Sequence, residues 1–311
     1  MAYTTRRSIP QTDPPLPPWE TLPTMYDLPS EYPEEPGLPD EFHDLQPQLL
    51  SRTLHLADYK RQNWFTGSDL NLYYDVHNQH WYKRPDWFLA VGVPNLYNGH
   101  DLRRSYVNWQ ERRPPHVVIE FLSPGTEQTD LGRFYWEDSE PAASSSLELH
   151  GQEQSGTPPP DKLTVYERYL RVPHYLTYDR RTKRLRYFLL VGGEYQEQPI
   201  QERAPLVWLA DLKVGLGLWE GIFEAAPGRW LRWCDAEGNW LLTDTEQERL
   251  AKEQERLAKE QERLAKEQER LAKEQERLAK EQERLAKEQA QQKAEHLAER
   301  LRSLGVDPDE I

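Results

Sequence analysis

Asp86, Glu120 and Lys162 are the residues whose type and setting could do chemistry. Asp86 follows Pro85 and opens an apolar run to Val93, DWFLAVGV; Glu120 interrupts the β-branched run HVVIEFL; Lys162 opens KLTVYERYLR, whose apolar residues fall at helical spacing. A carboxylate inside an apolar strand is costly unless it is paired or holds a metal. Two such carboxylates on neighbouring strands, with a lysine nearby, make a site for a hard divalent cation and a phosphate. Mg²⁺ (or Mn²⁺ in its place) prefers oxygen ligands and retains waters. It would activate a water, and the ammonium would stabilise the anionic transition state. Each residue also has an ordinary reading: Asp86 as a strand-entry turn residue, Glu120 as a solvent-facing edge residue, Lys162 as a first-turn lysine.

Positioning these groups requires strands and a helix in a definite order. Leu70–Val76, Asp86–Val93 and His116–Leu122 read as strands, with the turn Ser123-Pro124-Gly125-Thr126 closing the last. Lys162–Arg171 reads as a helix with Leu163, Tyr166, Tyr169 and Leu170 on one face and Asp161 as its N-cap. His174–Tyr178 and Arg184–Val191 read as further strands. Gly192-Gly193 leads into a hairpin with Glu194–Ile200, and a second hairpin joins Trp230–Cys234 to Asn239–Leu242. An earlier helix fits Glu41–Tyr59, provided Pro47 sits in its first turn. Strands, a helix and more strands predict an α/β or α+β fold.

The flanks differ in composition. Residues 1–40 hold ten of the 25 prolines and read as an acidic extended arm. Residues 41–244 form the candidate domain, with an acidic Ser/Gly/Pro-rich insertion at 137–160. Residues 245–304 carry the heptad AKEQERL with leucine at 250, 257, 264, 271, 278 and 285, before a short tail at 305–311. This segment predicts a long helix laced by Glu255–Lys259 and Arg256–Glu260 pairs, and self-association through a coiled coil. Glutamine at the companion apolar position weakens such a seam.

Net charge is −14, and residues 1–50 and 134–161 carry −13 of it. That acidity argues against non-specific nucleic-acid binding by the chain as a whole, which rests on phosphate neutralisation. A single cysteine, Cys234, rules out an intramolecular disulfide and a multi-cysteine zinc site. With no membrane-length apolar run and no secretory h-region, the expectation is a cytoplasmic protein without membrane attachment.

Asp86 in RPDWFLAVGV, Glu120 in HVVIEFLSPGT, Thr129-Asp130-Leu131-Gly132 and the run DKLTVYERYLRVPHYLTYD resemble the Uma-type restriction endonuclease family of bacteria, within the PD-(D/E)XK nuclease superfamily. The resemblance covers roughly residues 40–220. It implies a restriction-endonuclease-like mixed sheet flanked by helices, DNA as partner and Mg²⁺ as cofactor. It further implies catalytic roles for Asp86, Glu120 and Lys162, with Asp86, Glu120 and the Phe121 carbonyl as metal ligands. The superfamily's lysine two residues after the glutamate is absent, since Leu122 stands there. Lys162 on the following helix would replace it.

Other residues carry weaker signals. Tyr166, one turn from Lys162, could meet substrate but reads better as core. Asp69 and Asp75 could supply a third carboxylate, though turn and edge roles fit them. Ser123 and Thr126 fit loop chemistry. His116 lacks a visible partner in the sequence and reads as structural. Lys83-Arg84, Arg103-Arg104 and Arg112-Arg113 could touch a DNA backbone or be solvated surface. Three readings follow: a metal-dependent DNA endonuclease, an inactive nuclease-fold scaffold assembled through the heptad helix, and a helix-stalk protein that leaves Asp86 and Glu120 unexplained.

Overall fold

The structure, a computed structural model, describes residues 12–17, 21–22, 40–135 and 159–303. Most of the proline-rich arm, the insertion up to residue 158 and the tail lie outside the described residues. The chain divides into two compact units, Met1–Thr243 and Asp244–Ile311.

In the first unit the strands are, in chain order, β1 (Trp64–Gly67), β2 (Leu72–Tyr73), β3 (Tyr82–Lys83), β4 (Trp87–Val91), β5 (Tyr106–Val107), β6 (Val117–Phe121), β7 (His174–Asp179), β8 (Arg184–Val191), β9 (Glu194–Gln198), β10 (Val207–Leu209), β11 (Val214–Phe223) and β12 (Ala226–Cys234). The principal sheet is six-stranded in the order β1-β4-β6-β7-β8-β9. It is mixed: β6 and β7 run parallel and every other neighbouring pair is antiparallel. Parallel neighbours need a crossover connection, and residues 122–173 supply it. The crossover carries the helices α2 (Glu127–Leu131) and α3 (Lys162–Thr164). Ahead of all the strands stands α1 (Glu41–Thr53). The chain is thus a mixed α/β protein with its sheet flanked by helices.

Alternation along the strands sorts the core into two layers. Trp87 and Leu89 of β4 with Val117, Ile119 and Phe121 of β6 face one way, against α1 and the three-stranded sheet β10-β11-β12. Phe88, Ala90 and Val118 face the other way, against Leu131, Leu163, Tyr166 and the small sheet β3-β2-β5. Glu120 has the parity of Val118, and Asp86 that of Phe88. The β4–β6 register, with Trp87 opposite Ile119, carries Asp86 next to Glu120 when extended by one residue.

Several local expectations change. The first helix starts at Glu41 as expected, where the Asp40 carboxylate accepts a hydrogen bond from the His43 N–H, but it ends at Thr53, and Pro47 lies inside it rather than in its first turn. Leu70–Val76 shortens to β2, which pairs outside the principal sheet. The Lys162–Arg171 segment is α-helical only over α3; Val165–Tyr169 then forms a π turn that ends before Arg171, whose φ is +53°. Asp161 caps it as expected, accepting from the Thr164 N–H at 2.6 Å. Trp230–Cys234 pairs chiefly with β11, a ten-residue strand absent from the sequence expectation, and meets Asn239–Leu242 through a single Cys234–Trp240 bridge and the Arg232 guanidinium, which donates to the Leu241 carbonyl. The glycines at 215, 217 and 221 had obscured the alternation of β11. At two of them a Cβ would fall within 2.5 Å of Pro205 or Trp219, so the bareness of these positions serves packing.

The second unit contains α4 (Asp244–Ser303), 60 residues long and so about 90 Å at 1.5 Å per residue. Its heptad leucines 250–285 stay between 46% and 52% exposed. Lys259 pairs with Glu255 at 2.6 Å as expected. Arg256, however, reaches back to Glu253 at 2.6 Å instead of forward to Glu260, because helical side chains lean toward the N-terminus.

Gly132 ties the crossover to the site. Its φ is +50°, and a Cβ there would sit 2.8 Å from Leu163 Cδ2. The bare backbone therefore lets α2 and α3 close on each other, which brings Asp130 and Lys162 together. Gly132→Ala is expected to destabilise the protein by about 1–3 kcal/mol, from the strained φ and the overpacking. Urea unfolding checks this, and an unchanged midpoint would remove the close-approach role.

Candidate active site

Asp86, Glu120 and Lys162 come together. The Asp86 N–H donates to Glu120 Oε2 at 3.2 Å, and Asp86 Oδ2 accepts from the Phe121 N–H at 2.5 Å. Lys162 Nζ donates to Glu120 Oε2 at 3.1 Å. Glu120 is fully buried in the middle of the principal sheet, which excludes its reading as a solvent-facing edge residue. Asp86 is half-buried, and Lys162 keeps part of its side chain at the surface.

Two residues complete the cluster in ways the sequence reading missed. Asp130, from the Thr129-Asp130-Leu131-Gly132 stretch, is fully buried, with its Oδ1 2.8 Å from Lys162 Nζ. It supplies the third carboxylate in place of Asp69 and Asp75. Asp69 instead lies exposed in a turn, with a φ of +48°, and Asp75 caps its own turn by accepting from His77 N–H and Asn78. The sequence offered only a weak signal for Asp130, an acid two residues before Gly132 in a polar stretch. The Tyr175 hydroxyl donates to the Asp130 carbonyl at 2.7 Å and fixes that turn to β7. Tyr166, read as core, is buried as expected but also donates its hydroxyl to Glu120 Oε1 at 2.6 Å. The π turn sets its direction, a local widening of the helix often found at functional sites.

Glu120 and Asp130 thus share one ammonium, and Asp86 stands beside them through its bonds to Glu120 and Phe121. Burial pushes the Glu120 carboxyl up to about 8; Lys162 offsets part of this, while Asp86 and Asp130 add to the rise. Burial also raises Asp86, against the pull of Lys162. For Lys162, burial works against the charged form, but Asp130, Glu120 and Asp86 outweigh it and hold the ammonium protonated. Both Asp130 carboxylate oxygens are buried, and the Lys162 ammonium, 2.8 Å from Oδ1, is the charge that compensates them. The cluster is rich in hard oxygen donors and short of positive charge, which fits a divalent cation. Glu120 and Asp86, with the Phe121 carbonyl beside them, would be its holders. That carbonyl also faces His43 Nε2 at 3.2 Å.

The surroundings are basic. Burial and then the nearby Lys162 lower Lys83, which is half-buried on β3. A hollow of about 390 Å³ beside Phe121 is lined by His43, Ser123, Pro124, Arg180 and Arg181. Ser123 and Thr126 bond each other across their loop, in keeping with loop chemistry. Arg103 is a buried partner of Glu111 rather than a surface contact. His116 does have a partner, Asp211, at 2.5 Å.

The family profile described as "Uma2: Putative restriction endonuclease" matches residues 16–218. The chain belongs to this family. Its Uma2 region therefore contains the whole carboxylate–lysine cluster. No curated protein is significantly similar to the chain. Among solved structures, that of a putative nuclease belonging to DUF820 from Anabaena variabilis ATCC 29413 overlaps 53% of this chain and 72% of its own, at 12% identity and a TM-score of 0.33. Among the described residues no helix is long and apolar enough to cross a membrane.

The raised Glu120 value has a measurable consequence. The folded state binds an extra proton between the ordinary value of 4.5 and about 8. In the metal-free protein the contribution of Glu120 to stability is therefore fully present below that interval and is lost as pH rises through it. Glu120→Gln should flatten the decline, narrowing it by at least about 1 kcal/mol, since a tenfold change in proton affinity is worth about 1.4 kcal/mol. Urea unfolding at a series of pH values checks this; parallel wild-type and variant curves would contradict the buried-acid assignment.

Proposed function

We propose that this chain is a metal-dependent endonuclease that hydrolyses DNA phosphodiester bonds. The observation that carries the reading is the pairing of Glu120 and Asp130 with the ammonium of Lys162, with Asp86 bonded to Glu120 and to the Phe121 N–H beside them. Membership of the Uma2 family supports it.

A bound Mg²⁺ would supply Lewis-acid activation of water and charge neutralisation at the phosphate. The chain's own residues do the rest. Asp86 and Glu120 present oxygen donors from adjacent strands, each held by a backbone N–H of the other strand. Tyr166 fixes the rotamer of Glu120 through Oε1. Lys162 remains protonated, so it serves as a charge that stabilises the phosphorane-like transition state and not as a proton acceptor. Asp130 holds that ammonium in place from the far side. Arg180 and Arg181, which line the hollow, and Lys83, near Lys162, would meet the phosphates of a DNA backbone.

Plasmid cleavage in Mg²⁺ is expected for the wild type, with losses of at least about 100-fold for Asp86→Asn, Glu120→Gln and Lys162→Met, the scale of removing one transition-state stabiliser. Equal rates for all four proteins would sink the assignment.

A second reading, assembly, is favoured by one observation: the half-exposed leucine stripe of α4. An isolated helix gains nothing from such a stripe, whereas a second helix would cover it. Light scattering is expected to show a concentration-dependent oligomer that Leu264→Lys with Leu271→Lys abolishes. A wild type monomeric at every concentration would remove this role.

A further inference from the structure

His116, His174 and Asp211 form a second cluster that the nuclease reading does not use. The three ligand atoms lie within 4.8 Å of one another. His116 Nε2 is 2.5 Å from Asp211 Oδ2, and His174 Nε2 is 3.0 Å from Asp211 Oδ1. The cluster joins three places in the fold: the residue before β6, the first residue of β7, and the turn between β10 and β11. It stands four residues before Glu120, roughly 13 Å along the strand direction.

The geometry points to a zinc site here, with His116 Nε2, His174 Nε2 and an Asp211 oxygen as protein ligands and solvent in the fourth position. Two imidazoles and a carboxylate suit Zn²⁺ rather than Mg²⁺, which prefers all-oxygen shells. Tetrahedral zinc with bonds of about 2.0–2.1 Å places donor atoms about 3.3 Å apart; the separations of 2.5 and 3.0 Å to Asp211 would widen by less than an ångström as the ion enters between them. Asp211 is exposed, leaving room for the solvent ligand, while His174 is buried and pre-set.

The second sphere supports this. His174 Nδ1 lies 2.8 Å from the Tyr187 hydroxyl. A hydroxyl can donate or accept. Without metal, Tyr187 can donate to Nδ1 while the ring N–H at Nε2 donates to Asp211. With metal, the ring proton sits on Nδ1 and donates to Tyr187, and the Nε2 lone pair faces the ion. Tyr187 is thus the orienting partner that metal-binding histidines usually have. Cys234 is fully buried and does not compete.

Isothermal titration of the tag-free full chain with Zn²⁺ tests the assignment. The wild type should take up one equivalent, and Glu120→Gln should do the same, which separates this site from the nuclease carboxylates. His174→Ala and Asp211→Asn should abolish uptake, and Tyr187→Phe should weaken it 10- to 100-fold. His116→Gln, at a partly exposed position, provides a loss-of-ligand variant with little risk to folding, confirmed by circular dichroism. No uptake by the wild type, uptake unchanged in His116→Gln, or uptake lost in Glu120→Gln would each overturn the proposal.

Discussion

Desolvation of negative charge governs this molecule. Asp86, Glu120 and Asp130 converge where water is largely excluded, and Lys162 alone among the described residues forms ion pairs inside the cluster. Burying carboxylates costs several kcal/mol each unless they are compensated, so the surrounding fold must hold them together against that cost. The two strands do this through crossed backbone-to-carboxylate bonds, and the crossover does it by delivering Asp130 and Lys162 from opposite ends. Carboxyls perturbed and gathered in this way are a usual mark of a functional site.

Much of the site was legible in the sequence because charge inside an apolar strand is conspicuous. Asp86 and Glu120 stand out for that reason, and the β4–β6 register makes them neighbours. Lys162 was found through family resemblance and helix position. Asp130 and Tyr166 were not placed, for different reasons. Asp130 sits in a polar stretch, where an acid attracts no notice. Tyr166 obeys the helical apolar pattern, which shows that its ring is buried but not where its hydroxyl ends. His116 looked unpartnered because Asp211 lies far along the chain, and pairing over such a distance leaves no local trace.

The fold was read well where side chains alternate and poorly where glycine removes them. β8 keeps the bounds expected from Arg184–Val191, while β11 went unseen because its glycines erase the pattern. Its bare positions admit Pro205, Trp219 and Trp240. The π turn after α3 was also hidden, since a single wide turn changes the direction of one or two side chains without altering composition.

The ion pair between Asp130 and Lys162 pins both ends of the excursion that joins α2 to α3. The two helices therefore cannot shift independently: moving either one would leave a buried charge without its counter-ion, at a cost of several kcal/mol. Any displacement of the pair would be felt at once by Glu120, which shares the same ammonium.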